Sequence, residues 1–353
     1  MEVNFRDVLD IYEKEVKVNT KNKRKVLLFE KNKMQNINRI VNDLRSANYI
    51  PGKYNVFVVF EPKCRIVMSL NIRDKIINHY MARYVLIPKL TKYLDIRNVA
   101  TRSGMGISYA DNLIKKYLNS FNEEFYVLKL DIKKYFYNID HDILLSMLKD
   151  KINEEEYSII HNIISTTNSE YINIEIERLK NKCKTPGKDS LMEMPYYNPN
   201  KGLSLGAMVS QFLSIYYLNE IDHYIVHNLR IKKYVRYMDD LVLIHSSKDV
   251  LKSAKKEIEE KLRNNYKLEL NEKKSRIYSK KDSFIFLGKR YKTVGNKLII
   301  KNTRGKKRRK DIINIYKNYK KGYVTSSSIF SSYNSLISNG SYEVEREIKN
   351  ILS

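Results

Sequence analysis

A chain of 353 residues, 42% of them hydrophobic, is long enough for a sizeable core in two domains or one subdivided domain, and too apolar to be disordered. Its 66 Lys and Arg against 40 Asp and Glu give a formal charge of +26, which attracts a polyanion, although the richness in Lys, Asn, Ile and Tyr also fits an AT-rich coding sequence. Two cysteines exclude a disulfide framework and a cysteine-rich zinc site, and no apolar stretch is long enough to predict a membrane span.

The opening MEVNFRDVLDIYEKEV carries early acids and no apolar signal core, so the cytoplasm is the expected location. From Val26, VLLFEKNKMQNINRIVNDLRSANY has helical apolar spacing until Pro51 and Gly52 break it. NVFVVFEPKCRIVMSL predicts a hairpin around Glu61, Pro62 and Lys63, with basic residues near its tip. IRDKIINHYMARYVLIPKL is again helical in period, and Gly104 and Gly106 lie in a loop that leads to another helix. EEFYVLKLDIKKYFYNIDHDILLSML predicts a strand from Phe125, a tight bend, and a helix that Asp140 caps. Between about 168 and 202, Pro186, Gly187, Pro195 and Pro199 predict a long irregular connection over the surface.

LGAMVSQFLSIYYLNEIDHYI predicts one strongly periodic helix. His223 and His227, at i, i+4 spacing beside Asp222, allow either a metal pair or a solvated or capping pair; no third ligand has a characteristic spacing. YVRYMDDLVLIH predicts a hairpin, KEIEEKLRNNYKLELNEKKSRIY a helix and then a strand, and SFIFLGKRYKTVGNKLII further strands turning at Gly295. KNTRGKKRRK, Lys301 to Lys310, packs seven basic residues into ten positions, a solvated face of the kind that contacts phosphate.

The two adjacent aspartates of YMDD repel each other, and a hairpin turn presents them at a sheet edge. Such a pair favours either a raised pKa or a divalent cation between the carboxylates. Hard oxygen donors select Mg²⁺, which takes its remaining ligands from water and substrate phosphates. A third carboxylate is expected, and Asp131 at the end of the strand in VLKLDIKKYF is the candidate.

Read in order, these motifs resemble those of reverse transcriptases. VLKLDIKKYF resembles the first catalytic motif, LSLGAMVSQ the template and primer-binding motif, and YMDD the second catalytic motif. LNEKKS resembles the lysine-bearing motif and FLGKRY the hairpin that grips the primer, and a finger segment from Lys63 extends the match to most of the chain. The resemblance implies an α+β right-hand polymerase with three parts. These are an N-terminal extension and fingers over 1–124, a palm over 125–293 whose antiparallel sheet packs on helices, and a small basic helical thumb over 294–353.

It also implies roles for single residues. Asp131, Ile132, Asp239 and Asp240 would hold two Mg²⁺ ions, with Mn²⁺ the alternative. Lys274 would be the general acid for pyrophosphate, with Lys273 its rival because the register is open. Phe136 would be the aromatic gate against a ribose 2′-hydroxyl, or a core residue. Lys63, Arg65 and Arg73 would hold triphosphate or template. Gly206, Ser210 and Gln211 would lie against the nascent base pair, and Arg304, Lys306, Lys307, Arg308, Arg309 and Lys310 would bind nucleic acid. The implied partners are an RNA template, a DNA primer and product, deoxynucleotides, and an accessory protein or second copy.

Leu205-Gly206 and Ser210-Gln211 stand where many members have Gln-Gly and Ser-Pro. That resembles bacterial enzymes of diversity-generating elements and of phage defence. The sixty-five residues after Gly288 leave no room for a nuclease or integrase domain. Three functions stay open: RNA-templated DNA synthesis, template-independent or protein-primed synthesis as in abortive infection, and an inactive palm that binds RNA.

Overall fold

The computed structural model describes residues 1–59, 64–183, 188–295, 297–303, 314 and 316–322. Helix α1 (Phe5–Ile11) is capped by the Asn4 side chain and continues through a wide turn at Tyr12–Lys17. The helix expected from Val26 is two, α2 (Lys23–Glu30) and α3 (Lys33–Arg45). The break falls at Asn32, whose backbone leaves the helical region, and the Asn36 side chain takes the Phe29 carbonyl instead. Strands β1 (Asn55–Val59) and β2 (Arg65–Ser69) form the predicted antiparallel hairpin, with Phe57 opposite Val67. Lys63 lies outside the described residues. Helix α4 (Ile72–Tyr80) starts at an Asn71 cap, α5 (Ile87–Leu90) follows a wide turn, and α6 (Ile107–Asn119) starts after Gly106.

Strand β3 (Tyr126–Asp131) leads into a single helical turn, α7 (Tyr135–Asn138), and then α8 (His141–Leu148), which Asp140 caps as expected. Helix α9 (Glu154–Ser165) carries a full capping box between Asn153 and Glu156. The irregular connection expected over 168–202 is largely helical, with α10 (Glu170–Lys182) and α11 (Lys188–Met192). Ile172 and Ile176, one turn apart, are fully buried against Val56, Ile66 and Met68 of the β1–β2 hairpin. That apolar stripe outweighs the prolines, which all lie beyond the helix.

The next predicted helix begins at Met208 and breaks at Leu218, giving α12 (Met208–Tyr217) and α13 (Asn219–His223). Then come β4 (Tyr234–Tyr237), β5 (Asp240–His245), the long helix α14 (Lys248–Tyr266) and β6 (Arg276–Ser279). Strands β7 (Ser283–Phe286), β8 (Lys289–Val294) and β9 (Lys297–Asn302) follow, and residues 316–320 are helical. The boundary expected between 293 and 294 therefore falls inside the β8–β9 pair. Arg304, Lys306, Lys307, Arg308, Arg309 and Lys310 lie outside the described residues.

The central sheet is antiparallel with strand order β4-β5-β3-β6. Side chains alternate across it. Leu128 and Leu130 of β3 pack with Leu251, Ile258 and Leu262 of α14 on one face. Val127, with Val242 of β5, packs with Ala110, Ile114 and Leu118 of α6 on the other. Both faces are covered, which is why LVLI reads as an unbroken apolar run. On the far side of β4 the main chain of residues 97–99 continues the pairing: Arg236 donates its backbone N–H to Arg97 (2.9 Å), and Val99 donates to Arg236 (3.0 Å). Among the described residues no helix is long and apolar enough to cross a membrane.

Candidate active site

Register places the acids. Asp131, last in β3, is the cross-strand partner of Asp240, first in β5, and Asp239 occupies the turn between β4 and β5. Met238, beside it, has φ of 57°, the left-handed conformation a tight turn demands. Three carboxylates thus meet at one end of the sheet, as the sequence predicts. Burial first, then the charges of Asp240 and Asp131, push Asp239 up to about 6. Burial also raises Asp240, with Asp131 adding to the rise.

Cations answer part of this charge. Lys274 Nζ lies 3.0 and 2.9 Å from the two oxygens of Asp131, and Asn271 Nδ2 donates to the same carboxylate at 3.1 Å. The turn that carries them is clipped to β3: the Asn271 N–H donates to the Asp131 carbonyl (2.7 Å), and the Asp131 N–H donates to Ser275 Oγ (3.2 Å). Lys273, the rival, is exposed. On β3 itself Lys129, two residues before Asp131 and so on the same face, brings Nζ to 3.3 Å from Asp240 Oδ1. That contact is an ion pair without hydrogen-bond geometry, and the buried Oδ1 receives no hydrogen bond. Sequence reasoning missed Lys129, Asn271 and Ser275. The signal for Lys129 was its i−2 spacing from Asp131 in a strand; Asn271 and Ser275 simply flank the lysines of LNEKKS.

The donor set suits a hard divalent cation: oxygen ligands only, mutual repulsion, and a buried carboxylate oxygen lacking a donor. Among the described residues, however, no three acidic, His or Cys side chains close around one point as a ready cage. Asp131 is turned onto Lys274 and Asn271, so metal binding has to compete with that ion pair. The backbone of Ile132 continues from Asp131 and bridges to Leu270, which puts that position at the same rim.

The other candidates divide. Phe136 is half-buried and follows Lys134, whose φ is 48°; Tyr135, next to it, is anchored by a hydroxyl that donates to the Ser214 carbonyl at 2.5 Å. The Phe136 carbonyl accepts from the Leu203 N–H at 2.7 Å, tying it to the segment that leads into Gly206. Gly206 has φ of 111°, which favours glycine, and a Cβ there would touch Val67 Cγ1 at 3.6 Å and the Met68 carbonyl at 3.7 Å. The Leu205 carbonyl accepts from the Met68 N–H at 3.3 Å, so this loop leans on the β1–β2 hairpin.

Ser210 is buried and bonded to Ser204 Oγ (2.9 Å), while Gln211 is exposed. Arg65 is exposed at the start of β2. Arg73 is bound within the fold: Nε and Nη2 donate to Asp43 Oδ2 (3.0 and 2.8 Å), Nη1 donates to the Ile50 carbonyl (3.1 Å), and the guanidinium stacks over Tyr49. It makes no contact with the acidic cluster. The His223–His227 pair is likewise occupied, with His223 Nε2 lying 2.7 Å from the Tyr93 carbonyl and the two rings stacked.

Residues 60–291 match the family described as reverse transcriptase (RNA-dependent DNA polymerase). No curated protein matches the chain in sequence. Among solved structures it is similar to apo telomerase of Candida tropicalis truncated from its C-terminal domain, at 14% identity and a TM-score of 0.50, covering 72% of this chain and 55% of that one. It is also similar to Candida albicans telomerase in complex with a TWJ fragment of telomeric RNA, at 14% identity and a TM-score of 0.49, covering 87% and 60%. The chain thus spans little more than half the length of these telomerases, and what it shares with the Candida tropicalis structure is the right-hand polymerase fold.

Proposed function

The chain belongs to the reverse transcriptase (RNA-dependent DNA polymerase) family, and from that premise we propose that it adds deoxynucleotides to a primer 3′-hydroxyl opposite an RNA template. The observation that carries this reading is the meeting of Asp131, Asp239 and Asp240 with Lys274 at one end of the sheet. Family members use divalent metal ions; here Asp131 and Asp239 would hold two Mg²⁺ ions, or Mn²⁺, with Asp240 and the Ile132 backbone beside them. Bound there, such ions supply activation of the primer hydroxyl and neutralise the leaving pyrophosphate.

The protein's own groups do the rest. Lys274 holds a proton on Nζ at the edge of the acidic cluster, where a departing pyrophosphate oxygen can take it. Phe136 sets the ribose face of the nucleotide pocket, and Gly206 lets the backbone approach the nascent pair. Arg65, exposed at the start of β2, is proposed to contact phosphate, and Lys63, Arg304, Lys306, Lys307, Arg308, Arg309 and Lys310 are proposed for the same role from the sequence alone. We divide the chain into an N-terminal extension and fingers over 1–124, a palm over 125–293 and a thumb over 294–353, the last boundary crossing the β8–β9 pair. Leu205 and Gln211 favour the bacterial stand-alone enzymes of phage defence or diversity generation, acting in the cytoplasm.

Nucleotide incorporation by purified protein tests the reading, with primed RNA, primed DNA and no template in parallel, each beside an Asp239→Ala, Asp240→Ala control. Synthesis that needs both the RNA and the aspartates is expected. Synthesis that persists without any template would replace this reading with protein-primed or terminal-transfer polymerisation. Lys274→Met is expected to lower the incorporation rate by about 10²-fold with primer binding unchanged, while Lys273→Met has little effect. Equal losses in the two variants would remove Lys274 from the mechanism.

A further inference from the structure

Arg236 is the largest fully buried side chain among the described residues, with no exposed surface. An arginine inside an apolar strand needs partners for every donor. Its fork meets Asp222 of α13, itself fully buried: Nε donates to Oδ1 (2.6 Å) and Nη2 to Oδ2 (2.5 Å). The Tyr234 hydroxyl donates to the same Oδ1 at 2.6 Å, so the carboxylate is held from two strand positions. Two contacts then reach outward. Nη2 donates to the Ile215 carbonyl at 2.8 Å, in the last turn of α12, where the break at Leu218 frees carbonyls from helical bonding. Nη1 donates to the Met238 carbonyl at 3.1 Å, inside the left-handed turn immediately before Asp239.

One guanidinium therefore connects the turn that carries Asp239 to the helix whose N-terminal end follows Gly206. We propose that Arg236, oriented by Asp222, is the positioning residue of the aspartate turn, fixing the Met238–Asp239 peptide against α12 so that Asp239 is presented in a single geometry. The inference rests on the polymerase reading above and adds to it a residue that touches neither substrate nor metal.

The chemistry of the pair favours this over a purely stabilising role. A buried ion pair is weak evidence for stability, because removing two charges from water offsets most of their attraction, and well-packed apolar replacements are often neutral. What an apolar set cannot reproduce is the bond to the Met238 carbonyl. A left-handed turn at a non-glycine residue is strained and persists only where its surroundings over-determine it.

Three proteins separate the alternatives: wild type, Arg236→Lys, and the triple variant Tyr234→Phe, Asp222→Leu, Arg236→Met, which removes the whole polar network together. Each is measured for thermal unfolding and for steady-state incorporation on primed RNA. Arg236→Lys keeps the charge and loses the fork; the triple variant loses both while filling the space. Both are expected to bind deoxynucleotide with KM within about 3-fold of wild type, and to lose about 10²-fold in kcat, the scale of a small misplacement of a reacting group. In the triple variant this loss should accompany a near-wild-type melting temperature.

A folded triple variant with wild-type kcat overturns the proposal, as does an Arg236→Lys protein whose kcat falls only in proportion to its unfolded fraction. If the triple variant does not fold, Arg236→Lys still decides the matter. An inactive wild type on every template strikes instead at the polymerase reading.

Discussion

Asp239→Asn should lose incorporation by about 10³-fold or more and, in the absence of a divalent cation, melt at a higher temperature than the wild type near neutral pH. The activity loss would follow if Asp239 holds a metal as proposed, since such a metal supplies several kcal/mol of transition-state stabilisation, each about 1.4 kcal/mol being tenfold in rate. The stability gain follows from the electrostatics of the site. Asp239 is pushed up to about 6 by burial and by its neighbours Asp240 and Asp131, so the folded chain holds this proton more tightly than the unfolded chain does. Ionised Asp239 therefore destabilises the native state above that pKa, and the penalty fades as pH falls through it.

The Asn variant escapes the penalty at every pH. Its lead in melting temperature should be greatest above pH 6 and shrink below it, as the wild type takes up its proton. Adding Mg²⁺ or Mn²⁺ should raise the wild-type melting temperature and close the gap, because a ligand that binds only the native state stabilises it by mass action. Scanning calorimetry of both proteins at two pH values, with and without metal, checks all of this. A variant that melts below the wild type at neutral pH without metal would mean that the three carboxylates do not strain the fold.

The Phe136→Ala enzyme should incorporate ribonucleotides about 10²-fold better relative to deoxynucleotides than the wild type does, since the role proposed for this ring is a built-in clash rather than an attraction. The backbone at this position is fixed on both sides, by the Tyr135 hydroxyl on the Ser214 carbonyl and by the Phe136 carbonyl accepting from Leu203. The ring lies edge-on to Tyr135, with centroids 5.9 Å apart, and remains half-buried. Because it is not fully enclosed, its truncation should cost less stability than a core Phe→Ala change, which removes about 3–5 kcal/mol. If Phe136 were a core residue only, the variant would instead melt markedly lower and lose both nucleotides in equal proportion. Competition between a ribonucleotide and its deoxy counterpart on one primed template distinguishes the two outcomes.

How much of this was legible in the sequence depended on whether the signal was local. The turn at Asp239 could be read because two strand-like runs flank it, and the register bringing Asp131 opposite Asp240 follows from both lying at strand ends. The cap at Asp140 and the turn at Gly295 are local chemistry of the same kind. What escaped was set by contacts across the chain. Helix α10 was hidden because its apolar stripe is short and the hairpin that buries Ile172 and Ile176 lies far earlier in the chain, while prolines stand close by in sequence. Arg73 reads as a free cation until Asp43, thirty residues earlier, is brought beside it. Arg236 was passed over because nothing within YVRY announces a partner in α13; its value depends on Asp222 being fully buried with it.

The pairing of residues 97–99 with β4 has a consequence for how this protein can be divided. Strand β4 is the last member of the central sheet, and the segment YVRY would otherwise present a bare row of backbone donors and acceptors. Bare strand edges recruit other strands, the usual route to sticky fragments and misassembly. Here that edge is covered by main chain from well before β3. Residues 97–99 are thus a seal on the sheet, and a shortened protein starting at Phe125 would expose the strand just before the two aspartates. A cut placed upstream of Arg97 keeps the seal.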